Sequence, residues 1–308
     1  MKRIALPTGI ELDYVDEGPR DAPVLMFLHG FPESHRTWRH QIAHFSGTYR
    51  CIAPDQRGYR GSSKPQDVGS YTPDKLIGDV FALAASLGIE TFTVVGHDWG
   101  GVIAWGIALL GQANGKVSRA VIANAPHPAL FQKLLYLDSA QRAASQYMRV
   151  IRDPASDALV RDHGLGAVLI KAFGGPDLGT VPESARDSVL AVAADPGVRD
   201  EQLADWQDRD AAFAMLGWYR ASPVVVPPMD APFALPDNWQ TPVLPPLSIP
   251  TLVIWGMDDR ALLPCNLDGL DEIIPNLTVY PIPGSSHFVT WGAPEAFNAA
   301  MDAFLGST

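Results

Sequence analysis

Short apolar runs alternate with helical patterns in the first part of the chain. The runs PVLMFLHG (23–30), RCIAPDQRG (50–58) and TFTVVGHD (91–98) are bounded by glycine or polar residues, which is typical of buried strands. Between the last two lies TPDKLIGDVFALAASLG (72–88), whose apolar residues recur at helical spacing between a threonine N-cap and a glycine stop. This order of strand, helix and strand predicts a parallel sheet.

The same alternation continues to about residue 126, and it resumes near the end of the chain after an interruption. Residues 100–115 predict a helix and residues 119–126 a strand. Two further strands are expected at 249–259 and 276–284, and residues 293–306 predict a closing helix. These elements indicate an α/β fold, a mostly parallel sheet flanked by helices.

A long insertion interrupts the alternation. Residues 128–247 carry mostly helical patterns, and we expect them to form a cap over a core built from residues 1–127 and 248–308. The end of the insertion, 222–250, is dense in proline, which blocks helices and favours an extended return path to the sheet. The sequence therefore predicts an α/β core with an inserted helical cap.

Composition narrows the classes of function. The chain has 308 residues, 47% of them hydrophobic, and a net charge of −11, without any basic block. Nucleic acid and anionic membranes bind clustered Lys and Arg, so neither is expected as a partner. No signal peptide or membrane span is evident, which favours a cytoplasmic protein and leaves room for a homo-oligomer. Cys51 and Cys265 are too few for a disulfide framework or a metal cluster, and we expect both to be reduced.

The segment VVGHDWGG (94–101) presents a carboxylate at a strand-to-helix turn. Gly96 and Gly100 stand two residues before and after Asp98, the spacing that a sharp nucleophile-bearing turn requires. A carboxylate is already ionised at pH 7, so it can attack an activated sp³ carbon without a base and form an alkyl ester. The alternative is that Asp98 merely caps the following helix.

Hydrolysis of such an ester needs a base. His287 follows the last predicted strand in a loop before the final helix, and we expect it to activate water. Its orienting acid should follow the preceding strand, where Asp258 and Asp259 are both available. We favour Asp259, three residues after Gly256, and interpret Asp258 as a turn residue. The chain order of nucleophile, acid and histidine is the order expected on this scaffold.

Two backbone amides are expected to stabilise the oxyanion of that hydrolysis. The segment FLHGFP (27–32) places a glycine turn after the first core strand, so the Phe31 amide could pair with that of Trp99, next to the nucleophile. His29 and His97 are interpreted as structural. No metal or organic cofactor is implied.

These motifs together resemble the α/β-hydrolases of the epoxide hydrolase and haloalkane dehalogenase group, and soluble epoxide hydrolases most closely. The resemblance spans the predicted core and rests on HGFP (29–32), DQRGYRGSSKP (55–65), GHDWGG (96–101), NAPHP (124–128), WGMDD (255–259) and SSH (285–287). It implies an Asp, Asp and His triad, the two amides described above, and a helical cap that closes over the site.

The cap sequence distinguishes the branches of this group. The resemblance at SQYMRVIRDP and GWYRASP implies that Tyr147 and Tyr219 donate to an epoxide oxygen. Many haloalkane dehalogenases have an Asn where this chain has Phe31, which counts against halide release, although the indole of Trp206 could still serve a halide. Arg60 stands where relatives commonly have glycine, and the sequence offers no functional account of it.

We therefore expect an epoxide hydrolase. Its substrate would be a small apolar epoxide, which Asp98 opens and water releases as a vicinal diol. A hydrolytic haloalkane or haloacid dehalogenase using the same Asp ester is the alternative. A non-catalytic protein that binds a small ligand in the pocket is a third interpretation, and the complete triad argues against it.

Overall fold

An eight-stranded sheet forms the centre of the molecule. A computed structural model describes residues 1–174, 193–240 and 244–306. The strands are β1 (Lys2–Ala5), β2 (Glu11–Glu17), β3 (Val24–Leu28), β4 (Arg50–Pro54), β5 (Phe92–His97), β6 (Val117–Ala123), β7 (Thr251–Gly256) and β8 (Leu277–Ile282). Their order across the sheet is β1-β2-β4-β3-β5-β6-β7-β8. The strands from β4 to β8 in this order run parallel, and β1 and β2 pair antiparallel at one edge. The predicted α/β class with a mostly parallel sheet is confirmed.

Helices cover both faces of the sheet and fill the insertion between β6 and β7. Those of the first half are α1 (Arg39–Phe45), α2 (Pro73–Ser86) and α3 (Trp99–Ala113). The insertion contains α4 (Pro128–Leu137), α5 (Ser139–Ala144), α6 (Tyr147–Arg152), α7 (Ser156–His163), α8 (Leu165–Phe173), α9 (Arg199–Asp205) and α10 (Arg209–Ala221). After β7 come α11 (Leu270–Ile273), α12 (Val289–Gly292) and α13 (Pro294–Gly306), and short 3₁₀ helices span His35–Trp38, Val68–Tyr71 and Pro264–Leu267. None of the helices in the described ranges is long and apolar enough to cross a bilayer.

The central strands are buried on both faces, which explains their continuous apolar runs. In β3, Leu25 and Phe27 pack into the core layer on one side of the sheet, with residues of α1 and α13. Met26 and Leu28 face the opposite layer, with residues of α2 and α3. Helices on both faces are the usual covering of a parallel sheet. The carboxyl ends of these strands consequently meet at one edge, where loops can present side chains to a ligand.

The antiparallel pair β1 and β2 is the part of the sheet that the sequence analysis does not anticipate. Leu12 and Tyr14 are the two buried residues of β2, because the strand has one face toward the core and one toward solvent. Its polar residues break up the apolar run by which the central strands are found.

The insertion 128–247, which we call the cap, returns to the sheet through the proline-rich residues 222–250, which we call the return segment. In its described residues, 222–240 and 244–250, the return segment forms neither helix nor strand. Arg142, fully buried in α5, donates to the carbonyls of Ala231 and Pro232 and stacks on the ring of Phe233 at 3.8 Å. Side-chain donors from the cap thus replace hydrogen bonds that a proline-rich backbone cannot make for itself. The division of the chain at 128 and 247 stays a prediction.

Candidate active site

Asp98 occupies the tip of the turn between β5 and α3. Its backbone lies at φ 50° and ψ −121°, an uncommon conformation for a residue with a side chain. A Cβ on Gly96 would overlap the backbone of Gly100, and one on Gly100 would overlap the carbonyl of Leu28. The two glycines are therefore what lets the chain turn so sharply. The carboxylate of Asp98 makes no helix-capping hydrogen bond, so the geometry gives no support to the alternative of a simple cap.

The loop after β3 holds one oxygen of this carboxylate. The backbone amide of Phe31 donates to Asp98 Oδ1 over 2.8 Å. Gly30 permits this approach, since a Cβ there would lie 2.5 Å from the Cβ of Asp98 and 2.8 Å from its Oδ1. Trp99 begins α3, where amide N–H groups lack intrahelical partners. The two amides named from the sequence thus lie on the two segments that flank the carboxylate.

His287 faces the other oxygen. Its Nε2 lies 3.4 Å from Asp98 Oδ2, and its Nδ1 lies 2.7 Å from Asp259 Oδ2. Burial disfavours the charged imidazolium, but the two carboxylates outweigh burial and hold the pKa of His287 well above its ordinary value. The structure therefore places His287 between the other two residues of the predicted triad, whose carboxylates favour its protonated form.

Asp259 is fixed by four donors around its carboxylate. Oδ1 accepts from the amides of Ala261 and Leu262 at 2.8 and 2.9 Å, and Oδ2 accepts from Asn124 Nδ2 at 2.7 Å as well as facing His287. Burial raises its pKa, but the contact with His287 and the other donors outweigh burial, so that the pKa is lowered overall. Such a carboxylate stays ionised and holds the imidazole in one orientation.

Asn124 is a supporting residue that the sequence analysis misses. It follows β6 with φ 40°, and its Oδ1 accepts from the amide of Gly256 at 2.9 Å while its Nδ2 contacts Asp259. The available signal was its place in NAPHP, a motif noted only for the resemblance. Asp258, the alternative acid, is exposed, and its amide donates to the Ser285 carbonyl.

A buried pair of Glu33 and His97 supports the loop that carries His287. His97 Nδ1 lies 2.8 Å from Glu33 Oε2, and its Nε2 lies 2.9 Å from the backbone carbonyl of His287. Each ring nitrogen of His97 thus faces an oxygen of the loops on either side of it. Glu33 also accepts from the Thr37 hydroxyl and the Trp291 indole, at 2.7 and 3.1 Å. Burial raises the pKa of Glu33, but the contact with His97 outweighs burial and lowers it. His97 therefore points into the fold, and Glu33 was missed because nothing in HGFPE marks its partner.

Tyr147 and Tyr219, the tyrosine pair, come together from two cap helices. Tyr147 begins α6 and Tyr219 lies in the last turn of α10, and their ring centroids are 6.2 Å apart at 80°. The Tyr219 ring also packs edge-on against Phe31 and Trp99, each at 5.0 Å. Burial raises the pKa of both phenols, and the negative charge of Asp98 raises it further. Both therefore hold their protons, and their role as donors stays a prediction.

Trp206 does not serve as the free indole donor considered for a halide. It is 1% exposed, and its Nε1 donates to the backbone carbonyl of Pro32 over 2.8 Å. That carbonyl belongs to the residue next to Phe31, so the indole fastens the cap to the loop that supplies the Phe31 amide. The sequence-based suggestion of a free indole at Trp206 was wrong, because a sequence does not show which backbone carbonyl a side chain will bond to.

Arg60, unexplained by sequence, links the core to the cap. Its Nε donates to the buried carboxylate of Asp55 at 3.1 Å and its Nη1 to Asp205 of α9 at 2.6 Å. Arg36 donates to the same oxygen of Asp205 at 2.7 Å. Arg60 has φ 49°, a conformation in which glycine is less strained. The side chain thus contributes a cap contact that a glycine would lack.

The site as a whole brings together the carboxylate of Asp98, a histidine bonded to a second carboxylate, the Phe31 amide and two phenols. Within the described ranges, no cluster of three or more His, Cys, Asp or Glu residues could hold a metal ion. These are the kinds of group that covalent catalysis at a carbon atom uses.

Comparison with known proteins agrees with this arrangement. Residues 23–294 match the family model of the alpha/beta hydrolase fold. Epoxide hydrolase 1 of Caenorhabditis elegans is 31% identical over 96% of this chain and 68% of its own length. The AB hydrolase superfamily protein YfhM of Bacillus subtilis is 30% identical over 96% of this chain and 95% of its own.

Two solved structures of similar proteins are both epoxide hydrolases. A structure of epoxide hydrolases found in metagenomes from hot environments is 62% identical, with a TM-score of 0.91 over 100% of this chain and 98% of that one. An epoxide hydrolase from Bacillus megaterium, solved with an inhibitor, is 28% identical with a TM-score of 0.79 over 99% of this chain and 100% of that one. The chain belongs to the epoxide hydrolases of the α/β-hydrolase fold.

Proposed function

We propose that this protein hydrolyses epoxides to vicinal diols through an ester of Asp98. The observation that carries the proposal is the placement of the Asp98 carboxylate between three groups. The Phe31 amide holds Oδ1 at 2.8 Å, His287 lies 3.4 Å from Oδ2, and the tyrosine pair covers the site from the cap. Each group matches one need of a two-step hydrolysis.

In the first step Asp98 opens the ring. Oδ2, which no backbone amide in the described residues holds, attacks an epoxide carbon, and the bond between that carbon and the ring oxygen breaks. The oxygen takes a proton from a phenol of the tyrosine pair, which an apolar Phe could not supply. The product of this step is an alkyl ester of Asp98 that carries a neighbouring hydroxyl group.

In the second step water cleaves the ester. Neutral His287 takes a proton from a water molecule, and the hydroxide adds to Cγ of Asp98. The charge then develops on Oδ1, where the Phe31 amide already points and the Trp99 amide at the start of α3 can add a second donor. Collapse of this intermediate releases the diol and restores the carboxylate. Asp259 keeps the imidazole in the productive orientation throughout.

Halide release is less well served by the same site. Phe31 offers no side-chain donor, and the indole of Trp206 is occupied by the Pro32 carbonyl. The phenols of the tyrosine pair suit an oxygen leaving group, because an alkoxide needs a proton and a halide does not. Epoxide opening is therefore the function that the geometry favours.

The test is to trap the ester. A panel of epoxides and haloacids is incubated with the wild type and with His287→Gln, and diol, halide and the mass of the protein are followed. We expect diol without halide from the wild type, and an adduct on Asp98 that accumulates in the variant because its base is gone. His44→Gln, a change of an exposed histidine, is the matched control and should behave as wild type. An adduct on another residue, or a wild type that frees halide and forms no diol, would overturn the proposal.

The tyrosine pair has its own test in the same assay. The double variant Tyr147→Phe, Tyr219→Phe should lose ester formation by about a hundredfold to ten-thousandfold, the usual contribution of a positioned general acid. Each single variant should keep part of the rate. Tyr280→Phe removes an exposed phenol and serves as the control. Ring opening within a few-fold of wild type in the double variant would exclude the phenols as donors.

A further inference from the structure

Arg152 connects the two helices that carry the tyrosine pair. It ends α6, the helix that begins at Tyr147. Its Nε donates to the backbone carbonyl of Tyr219 over 2.8 Å, and its Nη1 donates to the carbonyl of Val224 over 2.6 Å. One planar guanidinium on the helix of the first phenol therefore grips the backbone of the second.

The acceptor at Tyr219 lies at a helix end, where the backbone is least constrained. Tyr219 belongs to the last turn of α10, whose carbonyls lack the usual partners four residues ahead. Apart from Arg152, the Tyr219 carbonyl accepts a longer bond of 3.3 Å from the amide of Ser222. Because α10 gives way there to the extended return segment, the Arg152 contact limits how far the end of α10 can move from α6.

Nothing acidic in the described part of the chain pairs with this guanidinium. Arg152 forms no ion pair there, and its Nη2 is buried without a hydrogen-bond partner. Burial lowers the pKa of Arg152, and this effect outweighs the opposite effect of the nearby phenols. Arg142 is likewise a buried cation that donates only to backbone carbonyls, and it holds the return segment. What distinguishes Arg152 is that one of its acceptors is the backbone of Tyr219, a member of the tyrosine pair.

We propose that Arg152 is a positioning residue for ring opening, which holds Tyr219 at the distance and angle from Tyr147 at which both phenols reach one oxygen atom. The inference rests on the proposed function of the tyrosine pair. The contact fixes the backbone of Tyr219 rather than its hydroxyl, and its guanidinium fork does so at two points, at Tyr219 and five residues later. A displacement of a reacting group by about 1 Å can cost about a hundredfold in rate.

The variant Arg152→Met tests this inference because it keeps a long stem and removes the fork. We expect the rate of Asp98 alkylation by an epoxide to fall about tenfold to a hundredfold, with ester hydrolysis within twofold of wild type. Arg149→Met is the matched control. Arg149 lies on the same helix and donates to the Val226 carbonyl of the return segment at 3.0 Å, but it makes no bond to Tyr219. It should leave both steps unchanged.

A second comparison separates positioning from general loss of structure. In a Tyr219→Phe background, the phenol that Arg152 positions is already absent, so Arg152→Met should slow alkylation less than threefold further. Full additivity of the two changes, equal slowing of alkylation and hydrolysis, or an unaffected Arg152→Met would each overturn the inference. Should Arg152→Met not fold, Arg152→Lys keeps the stem and one donor and should show a smaller loss confined to alkylation. A wild type that forms no Asp98 ester would instead overturn the proposed function itself, so the two failures are distinct.

Discussion

Alkylation of Asp98 should change the proton affinity of His287, and the variant Asp98→Asn reproduces that change without substrate. Asparagine keeps the shape of the side chain, and its Oδ1 can still accept from the Phe31 amide. Like the ester, it carries no charge. In the wild type the carboxylates of Asp98 and Asp259 both favour the imidazolium of His287, whereas in the variant only Asp259 remains. We therefore expect the pKa of His287 to fall.

The separation of the charges bounds the size of this effect. At 3.4 Å between His287 Nε2 and Asp98 Oδ2, two unit charges attract by about 1 kcal/mol in a water-like dielectric and about 5 kcal/mol at an effective dielectric constant of about 20. The side chains are only 14% and 10% exposed, which places the interaction above the lower figure. Since about 1.4 kcal/mol is a tenfold change in an equilibrium constant, the midpoint should move by a readily measured amount.

The assay is an NMR titration of the His287 ring in both proteins, assigned with His287→Gln. Intact mass confirms that the amide introduced by Asp98→Asn persists. The pH profile of ester hydrolysis in the wild type should have its midpoint below that of the free enzyme, because the ester also lacks the charge.

The same linkage acts on stability. A raised pKa in the folded state stabilises the protein below about pH 6.5 and ceases to do so as pH rises through that pKa, so the stability difference between wild type and variant should shrink with rising pH. An equal or higher midpoint for His287 in the variant would refute this reasoning.

Two structural predictions follow from buried contacts around the site. Glu33→Ala removes the acceptor of the Trp291 indole and the carboxylate partner of His97, and it should lower the free energy of unfolding by about 3 to 5 kcal/mol, the usual effect of breaking a buried pair. Glu33→Gln should cost less than half of this, because its amide oxygen can still accept from Thr37 and Trp291. Urea denaturation of both variants measures this, and equal losses would contradict it. Gly30→Ala would place a Cβ 2.5 Å from that of Asp98 and should slow ester formation at least about a hundredfold. The control is Gly47→Ala, whose new Cβ meets nothing within 4 Å, and wild-type rates in Gly30→Ala would exclude the predicted displacement of Asp98.

The central sheet could be predicted from sequence because its strands are buried on both sides. Burial of every residue in β3, β5 and β7 produces unbroken apolar runs, which stand out in any window. The antiparallel strands β1 and β2 were not found, since β1 is mostly exposed, β2 buries only Leu12 and Tyr14, and both strands include charged residues. The helical character of the insertion followed from periodicity, but the packing of its helices depends on contacts between distant parts of the chain.

The chemical groups of the site were visible in sequence where a local pattern carries them. Glycines frame Asp98 because the turn leaves no room for a Cβ, and chain order then pointed to His287 and Asp259. The supporting contacts left no such pattern. Arg152 and Trp206 donate to backbone carbonyls. Because every residue type has such a carbonyl, the type of the acceptor residue does not reveal these contacts in the sequence.

The charges of the site suggest why a protonated histidine suits an enzyme that later needs a base. With both carboxylates ionised and the imidazole protonated, Asp98, His287 and Asp259 sum to one negative charge in the proposed starting state. Ring opening makes Asp98 neutral and leaves a negative charge on a phenolate of the tyrosine pair. A proton from His287 then restores the phenol, and the neutral imidazole can act as a base. Attack of water returns a proton to His287 as the oxyanion forms, and the hydroxyl of the tetrahedral intermediate supplies the proton of the second diol oxygen. The net charge of the proposed cycle is thus one negative charge at each stage. A change in net charge inside a buried site costs free energy, because a buried charge is poorly solvated. A constant net charge therefore avoids this cost at every step of the proposed cycle.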